Sequence, residues 1–85
     1  MTDLPNIGTV LAERLDQAGI KTPAQLADLG SVEALQRVRR TCREDLPCRN
    51  MLCALEGAIR GIRWHGIPAP EREELWRRYR SRLAQ

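Results

Sequence analysis

The sequence predicts an all-α protein, a compact bundle of about five short helices forming one domain over residues 1–85. Three observations lead there. No run alternates apolar and polar residues between turn residues, and phenylalanine is absent, so nothing reads as a strand. Helix-start signals recur, at Thr22-Pro23, at Ser31 and at Pro70 with Glu71, Glu73 and Glu74 behind it. Apolar residues return at three- and four-residue intervals, the spacing of one helical face. Of the 85 residues, 42% are hydrophobic and 29% charged, which is enough apolar material to collapse around a single core.

The elements follow in order. Gly8 ends the turn Leu4-Pro5-Asn6-Ile7-Gly8, and Thr9 is the expected cap of a first helix with Leu11, Leu15 and Ala18 on one face. Gly19 stops that helix, being able to take positive φ, and Ile20 follows as an apolar anchor. Thr22 caps and Pro23 opens a short second helix, Ala24 to Leu29, stopped by Gly30. Ser31 caps a third, with Leu35, Val38 and Cys42 facing inward and Gln36, Arg37, Arg39 and Arg40 outward. Arg43 to Pro47 reads as a polar turn. The fourth helix, Cys48 to Ile62, is central, because Met51, Leu52, Leu55, Ala58, Ile59 and Ile62 make a broad apolar arc. Gly57 and Gly61 fall inside it at a cost of about 1 kcal/mol each against alanine, so a second helix is expected to cross closely there. Arg63 to Ala69 connects to the fifth helix, opened by Pro70, with Leu75, Trp76, Tyr79 and Leu83 as its apolar stripe. Its glutamates lie in the first turn and its arginines in the last, where the helix dipole favours each.

Charge divides along the chain. Residues 1–35 set Arg14 and Lys21 against Asp3, Glu13, Asp16, Asp28 and Glu33, a balance of −3, whereas residues 36–85 carry twelve arginines against six acids, a balance of +6. Arginine forks onto phosphates and carboxylates, so its dominance over lysine is either functional or a trace of codon bias. Cys42, Cys48 and Cys53 have no zinc-knuckle spacing and are expected to be reduced, structural thiols. No apolar run approaches the ~20 residues that span a bilayer, and the chain starts without a basic, apolar leader. A soluble, cytoplasmic protein is the simplest expectation, with no membrane partner. One histidine, no phosphate loop, no paired thiols and no triad predict no enzyme, no cofactor and no metal.

Three places could bind. The first is Pro5, Asn6, Ile7, Gly8 and Thr9. A glycine turn before a helix resembles the hairpin of a helix-hairpin-helix element, in which the free amides of the helix start face a nucleic-acid phosphate. The competing reading is an ordinary turn: Asn6 stands where such hairpins carry a second glycine, and Arg14 and Lys21 are the only cations nearby in sequence. The second is the arginine set Arg37, Arg40, Arg49, Arg60, Arg63, Arg77, Arg78 and Arg80, which either converges into a phosphate-binding patch or spreads as a solvated surface among glutamates. The third is Arg60-Gly61-Ile62-Arg63-Trp64-His65, where Trp64 between arginines either stacks on a base or closes the core.

Two stretches carry a family resemblance. Leu4-Pro5-Asn6-Ile7-Gly8 with Leu15, then Ala18 to Pro23 and Leu26, is similar to the start of the C-terminal domain of TfoX/Sxy proteins. Leu52 to His65, with Ala-Leu-Glu-Gly-Ala, Arg-Gly and Trp-His in order, followed by Ile67-Pro68 and Arg72-Glu73-Glu74-Leu75, resembles the same domain more specifically. The resemblance covers roughly residues 3 to 80. It implies an all-helical domain with a helix-hairpin-helix-like start, and a link to natural competence, in which larger members act as positive regulators of DNA-uptake genes. Those members carry a separate α+β N-terminal domain, so the chain is expected to correspond to the second half alone. No catalytic residues come with the resemblance.

The expected function is therefore a non-enzymatic module assisting transcription regulation. It would dock to the DNA phosphate backbone or to a DNA-bound transcription factor through Pro5 to Thr9, Arg60, Arg63 and Trp64. The alternative is a protein-interaction or homodimerisation module that binds no nucleic acid.

Overall fold

The computed structural model describes residues 3–41 and 48–83, and every regular element among them is helical. Four α-helices are present: α1 (Thr9–Gln17), α2 (Pro23–Thr41), α3 (Cys48–Arg60) and α4 (Ala69–Leu83), with one 3-10 turn at Trp64–Gly66. The count falls one short of five because the two helices expected between Pro23 and Thr41 run on as one. They are still bent apart at Gly30, whose backbone (φ 81, ψ 161) is not helical. The expected turn from Arg43 to Pro47, and Cys42, lie outside the described residues.

Thr22 caps α2 as its sequence suggests. Its hydroxyl accepts the Gln25 amide at 3.1 Å, while the Gln25 side chain reaches back to the Lys21 amide at 2.7 Å. Thr9 does not cap α1. It is the first helical residue, and Gly8 holds the N-cap position in extended conformation without a side-chain cap. Pro70 is likewise the second residue of α4, because Ala69 already turns with the helix.

Gly19 (φ 84) closes α1. The Ile20 amide returns to the Leu15 carbonyl at 2.9 Å and the Gly19 amide to the Asp16 carbonyl at 3.0 Å, a Schellman closure that packs two fully buried side chains, Leu15 and Ile20, together at the helix end. The same device ends α3. Gly61 (φ 75) lies beyond the helix rather than inside it, with the Ile62 amide on the Gly57 carbonyl at 2.9 Å and the Gly61 amide on the Ala58 carbonyl at 3.2 Å. The expected helix thus ends two residues early, and Ile62 is left 38% exposed. Nothing surrounds Gly61, so only its φ constrains it. Gly61→Ala is expected to lower stability by about 1–2 kcal/mol in thermal melts; in a helix interior the same change would stabilise by about 1 kcal/mol.

The core gathers Leu15, Ile20 and Leu26 with Leu35, Val38, Leu52, Leu55 and Tyr79, all essentially without solvent exposure. α2 packs most extensively on α3 and also touches α1 and α4, so its buried arc is wider than one stripe. That is why Gln36, expected on the outward face, is buried, while Arg37, Arg39 and Arg40 do face solvent. Cys53 is a core residue as expected, and burial pushes its thiol pKa up despite the opposing charges of Arg72 and Arg49.

Candidate functional site

The N-terminal hairpin is organised by Asn6, not by Gly8. Asn6 takes the left-handed backbone (φ 67) that a glycine would adopt most easily, whereas Gly8 is extended and has open space around its Cα. The Ile7 amide closes the turn onto the Leu4 carbonyl at 3.3 Å, and the buried Ile7 side chain fixes it to the core. The Asn6 amide group then reaches across the fold. Its Nδ2 donates to the Ile62 carbonyl at 3.0 Å and, more weakly, to the Ala54 carbonyl at 3.4 Å, and its Oδ1 accepts the Trp64 amide at 3.1 Å. One side chain therefore satisfies backbone groups of the chain that leaves α3.

This clamp needs the missing side chain of Gly57. A Cβ there would lie 2.5 Å from Asn6 Nδ2, 2.8 Å from the Ile62 oxygen and 3.2 Å from the Trp64 nitrogen. The close approach inferred from Gly57 is thus real, but the hairpin and the Ile62–Trp64 turn occupy it instead of a crossing helix.

The clamp also brings Arg63 to the hairpin. Arg63 is exposed and lines one shallow depression with Asp3, Pro5, Asn6 and Gly8, and a second with Asn6, Asn50, Met51 and Trp64. It has no ion pair among the described residues. Beside it, the first intrahelical bond of α1 runs from the Ala12 amide to the Gly8 carbonyl at 2.9 Å. The amides of Thr9, Val10 and Leu11 consequently have no partner inside the helix. The first turn of α1 carries no acid.

Arg60 sits apart from this group. Its Nε contacts Glu56 at 2.7 Å and its Nη1 contacts Glu71 at 3.0 Å, and these partners, Glu56 foremost, raise its pKa further. Glu56 in turn accepts the buried Ser31 hydroxyl at 2.7 Å. Ser31, Glu56, Arg60 and Glu71 form a polar chain tying α2, α3 and α4 together. Trp64, half-buried, has His65 stacked on it at 4.0 Å between centroids and the Arg72 guanidinium 5.5 Å from its ring centre.

No single surface collects the eight arginines. Arg37 pairs with Glu33 and Arg77 with Glu74, Arg60 is held as above, and Arg63 joins the hairpin. Arg49, Arg77 and Arg80 border a cleft between the start of α3 and α4, while Arg78 lies in another with Ser81 and Arg82. Among the described residues no three His, Cys, Asp or Glu side chains cluster as a metal site would require, and no helix is long and apolar enough to cross a membrane.

Sequence reasoning missed the Asn6 clamp. Its signal was available in the asparagine at a glycine position and in the costly glycine at 57. The Ser31–Glu56 contact left no sequence signal, because it depends on the bend at Gly30.

The comparisons with known proteins agree with this architecture. The TfoX C-terminal domain matches residues 1–79. Protein Sxy of Escherichia coli K12 is 36% identical over 75 residues, covering 88% of this chain and 35% of that protein, so the chain spans about a third of its relative's length. Two crystal structures from Listeria monocytogenes superpose closely. One, of an uncharacterised protein in a triclinic form, has a TM-score of 0.83 at 46% identity, over 94% of this chain and 89% of that one. The other, of a protein of unknown function in a tetragonal form, has a TM-score of 0.85 at 44% identity, over 95% and 98%. The match of the family over residues 1–79 and the identity to Protein Sxy over most of the chain lead to one assignment: the chain belongs to the TfoX C-terminal domain family of regulatory TfoX/Sxy proteins.

Proposed function

We propose that the chain is a non-enzymatic regulatory module, acting in the cytoplasm, that assists transcription of competence genes by docking onto the DNA phosphate backbone. The contact surface is the hairpin Pro5 to Thr9 together with Arg63, and the rim of Trp64 borders it. The observation carrying this reading is the placement of Arg63 in the same depression as Pro5, Asn6 and Gly8, next to the open start of α1. The hairpin has few cations of its own, and a residue from the far end of α3 supplies one. Unpartnered amides at a helix start and an exposed guanidinium together favour an anion and read no base sequence. Arg60 supports the fold of this surface through Glu56 and Glu71 and is not itself a contact. The same glutamate pairings favour a second reading, in which the module grips a DNA-bound regulator and touches no nucleic acid.

Titrating labelled duplex DNA at two salt concentrations tests the proposal. Non-specific binding with a dissociation constant of roughly 1–100 µM is expected, weakening steeply between about 50 and 200 mM salt. Arg63→Glu should weaken binding for every sequence and reduce the salt slope by about 1. Gly8→Val should keep the helical content, since space is open there, and lose affinity by covering the amides. Absence of binding at about 100 µM protein in low salt would reject DNA docking in favour of the second reading.

A further inference from the structure

One face of α4 has a pattern that the DNA-docking surface does not use and of which the core takes only part of Trp76. Glu73, Trp76, Arg77 and Arg80 succeed one another at intervals of three, one and three residues, so they share one side of the helix. They border a single cleft, with Arg49 of α3 and Ser81 at its margin. Trp76 is half-buried. It stacks on buried Tyr79 at 5.6 Å between centroids and keeps part of its indole in the cleft. Arg77 is engaged by Glu74 of its own helix, yet its side chain remains 73% exposed. Glu73 and Arg80 are exposed and have no ion pair among the described residues. Seven residues of helix set their backbones about 10 Å apart, and they form no ion pair with each other.

We infer that this face of α4 is a self-complementary interface on which a second copy of the chain docks antiparallel. A twofold axis passing between positions 76 and 77 sets Glu73 against Arg80 of the second copy, and Trp76 against Arg77 of the second copy. The operation repeats both pairs. Glu73 and Arg80 then find opposite charges, and each guanidinium of the central pair lies over an indole. Antiparallel α4 helices also oppose their dipoles, with the glutamate-rich start of one beside the arginine-rich end of the other.

Arg49, Arg77 and Arg80 outnumber Glu73 in the cleft, so net charge alone does not choose the occupant; the choice of a second copy rests on the placement of Glu73 and Arg80, opposite charges that a twofold axis sets against each other. One helix face on each partner buries well under the roughly 1,600 Å² of a standard interface, so the dimer is weak and concentration-dependent. The inference is independent of DNA docking, because none of the four α4 residues belongs to the hairpin surface.

Sedimentation of the whole chain over a range of concentrations tests it, with charge reversals as the discriminating arm. Glu73→Arg and Arg80→Glu are each expected to weaken self-association about tenfold or more, since each turns two attractive contacts into repulsive ones. Both positions are exposed, so helical content and melting temperature should stay near those of the unmodified chain. An equimolar mixture of the two variants should associate again as a heterodimer, and the double variant as a homodimer. An unmodified chain that remains monomeric at about 1 mM overturns the inference. So does association indifferent to the single reversals, or folded variants that fail to re-associate when mixed. Loss of DNA binding in Arg80→Glu with no change in oligomeric state would give the face to a polyanion and overturn it too.

Discussion

Replacing Gly57 by alanine is expected to destabilise the domain by about 2–3 kcal/mol, a fall of roughly 10–20 °C in melting temperature for a chain of this size. The sign is opposite to that of an ordinary helical glycine, where alanine gains about 1 kcal/mol. The new methyl would sit 2.8 Å from the Ile62 carbonyl oxygen, which is backbone and cannot rotate away, and 2.5 Å from Asn6 Nδ2. Either the clamp breaks or the last turn of α3 shifts. Combining Gly57→Ala with Asn6→Gly separates these outcomes. Removing the asparagine side chain makes room for part of the methyl, so the double variant should be less destabilised than the two single effects added. Strict additivity in chemical denaturation would mean that the two residues do not share one space.

Asn6 itself gives the second large effect. Asn6→Gly restores the residue usual in hairpins of this kind and relieves the left-handed backbone, yet it is expected to cost about 1–2 kcal/mol, because two strong backbone contacts and one weaker one are lost. Asn6→Asp should cost more near neutral pH, about 3 kcal/mol, since a carboxylate would face the Ile62 and Ala54 carbonyl oxygens where Nδ2 now donates. Those oxygens favour the protonated acid, so the introduced group has a folded pKa above its unfolded value of about 3.9. The variant therefore approaches the unmodified chain below that value and loses stability as pH rises through its folded pKa. Urea midpoints compared at about pH 3 and pH 7 read this directly, and a gap between variant and unmodified chain that is the same at both would exclude the clamp geometry.

Local chemistry made much of the fold legible. Thr22-Pro23, Gly19 and Gly30 each act through one or two neighbours, and each behaves as its residue type dictates. Gly61 illustrates the limit of that reasoning. A glycine four residues after another reads equally well as helix interior or helix end, and the choice is made by Ile62 and Trp64 finding partners in Gly57 and Asn6. Gln36 was misread because burial on α2 is set by three packing partners, which periodicity along one helix does not reveal. Within the candidate site, Pro5 to Gly8 and Arg63 share a depression, while Arg60, also exposed, is paired with Glu56 and Glu71. Nothing in the local sequence distinguishes those two arginines. They lie three apart on either side of Gly61, and its left-handed turn sends them to different neighbours.

The contacts of Asn6 span 48 to 58 positions of chain. During synthesis the amino-terminal loop leaves the ribosome long before its acceptors exist, and through that interval nothing but local preference holds an asparagine in a left-handed conformation. The loop can lock only after about three quarters of the polypeptide has appeared. In refolding experiments, where the whole chain is present from the start, the entropy of closing so long a loop is expected to make this junction a late event, so its loss should accelerate unfolding while leaving the rate of initial collapse nearly unchanged.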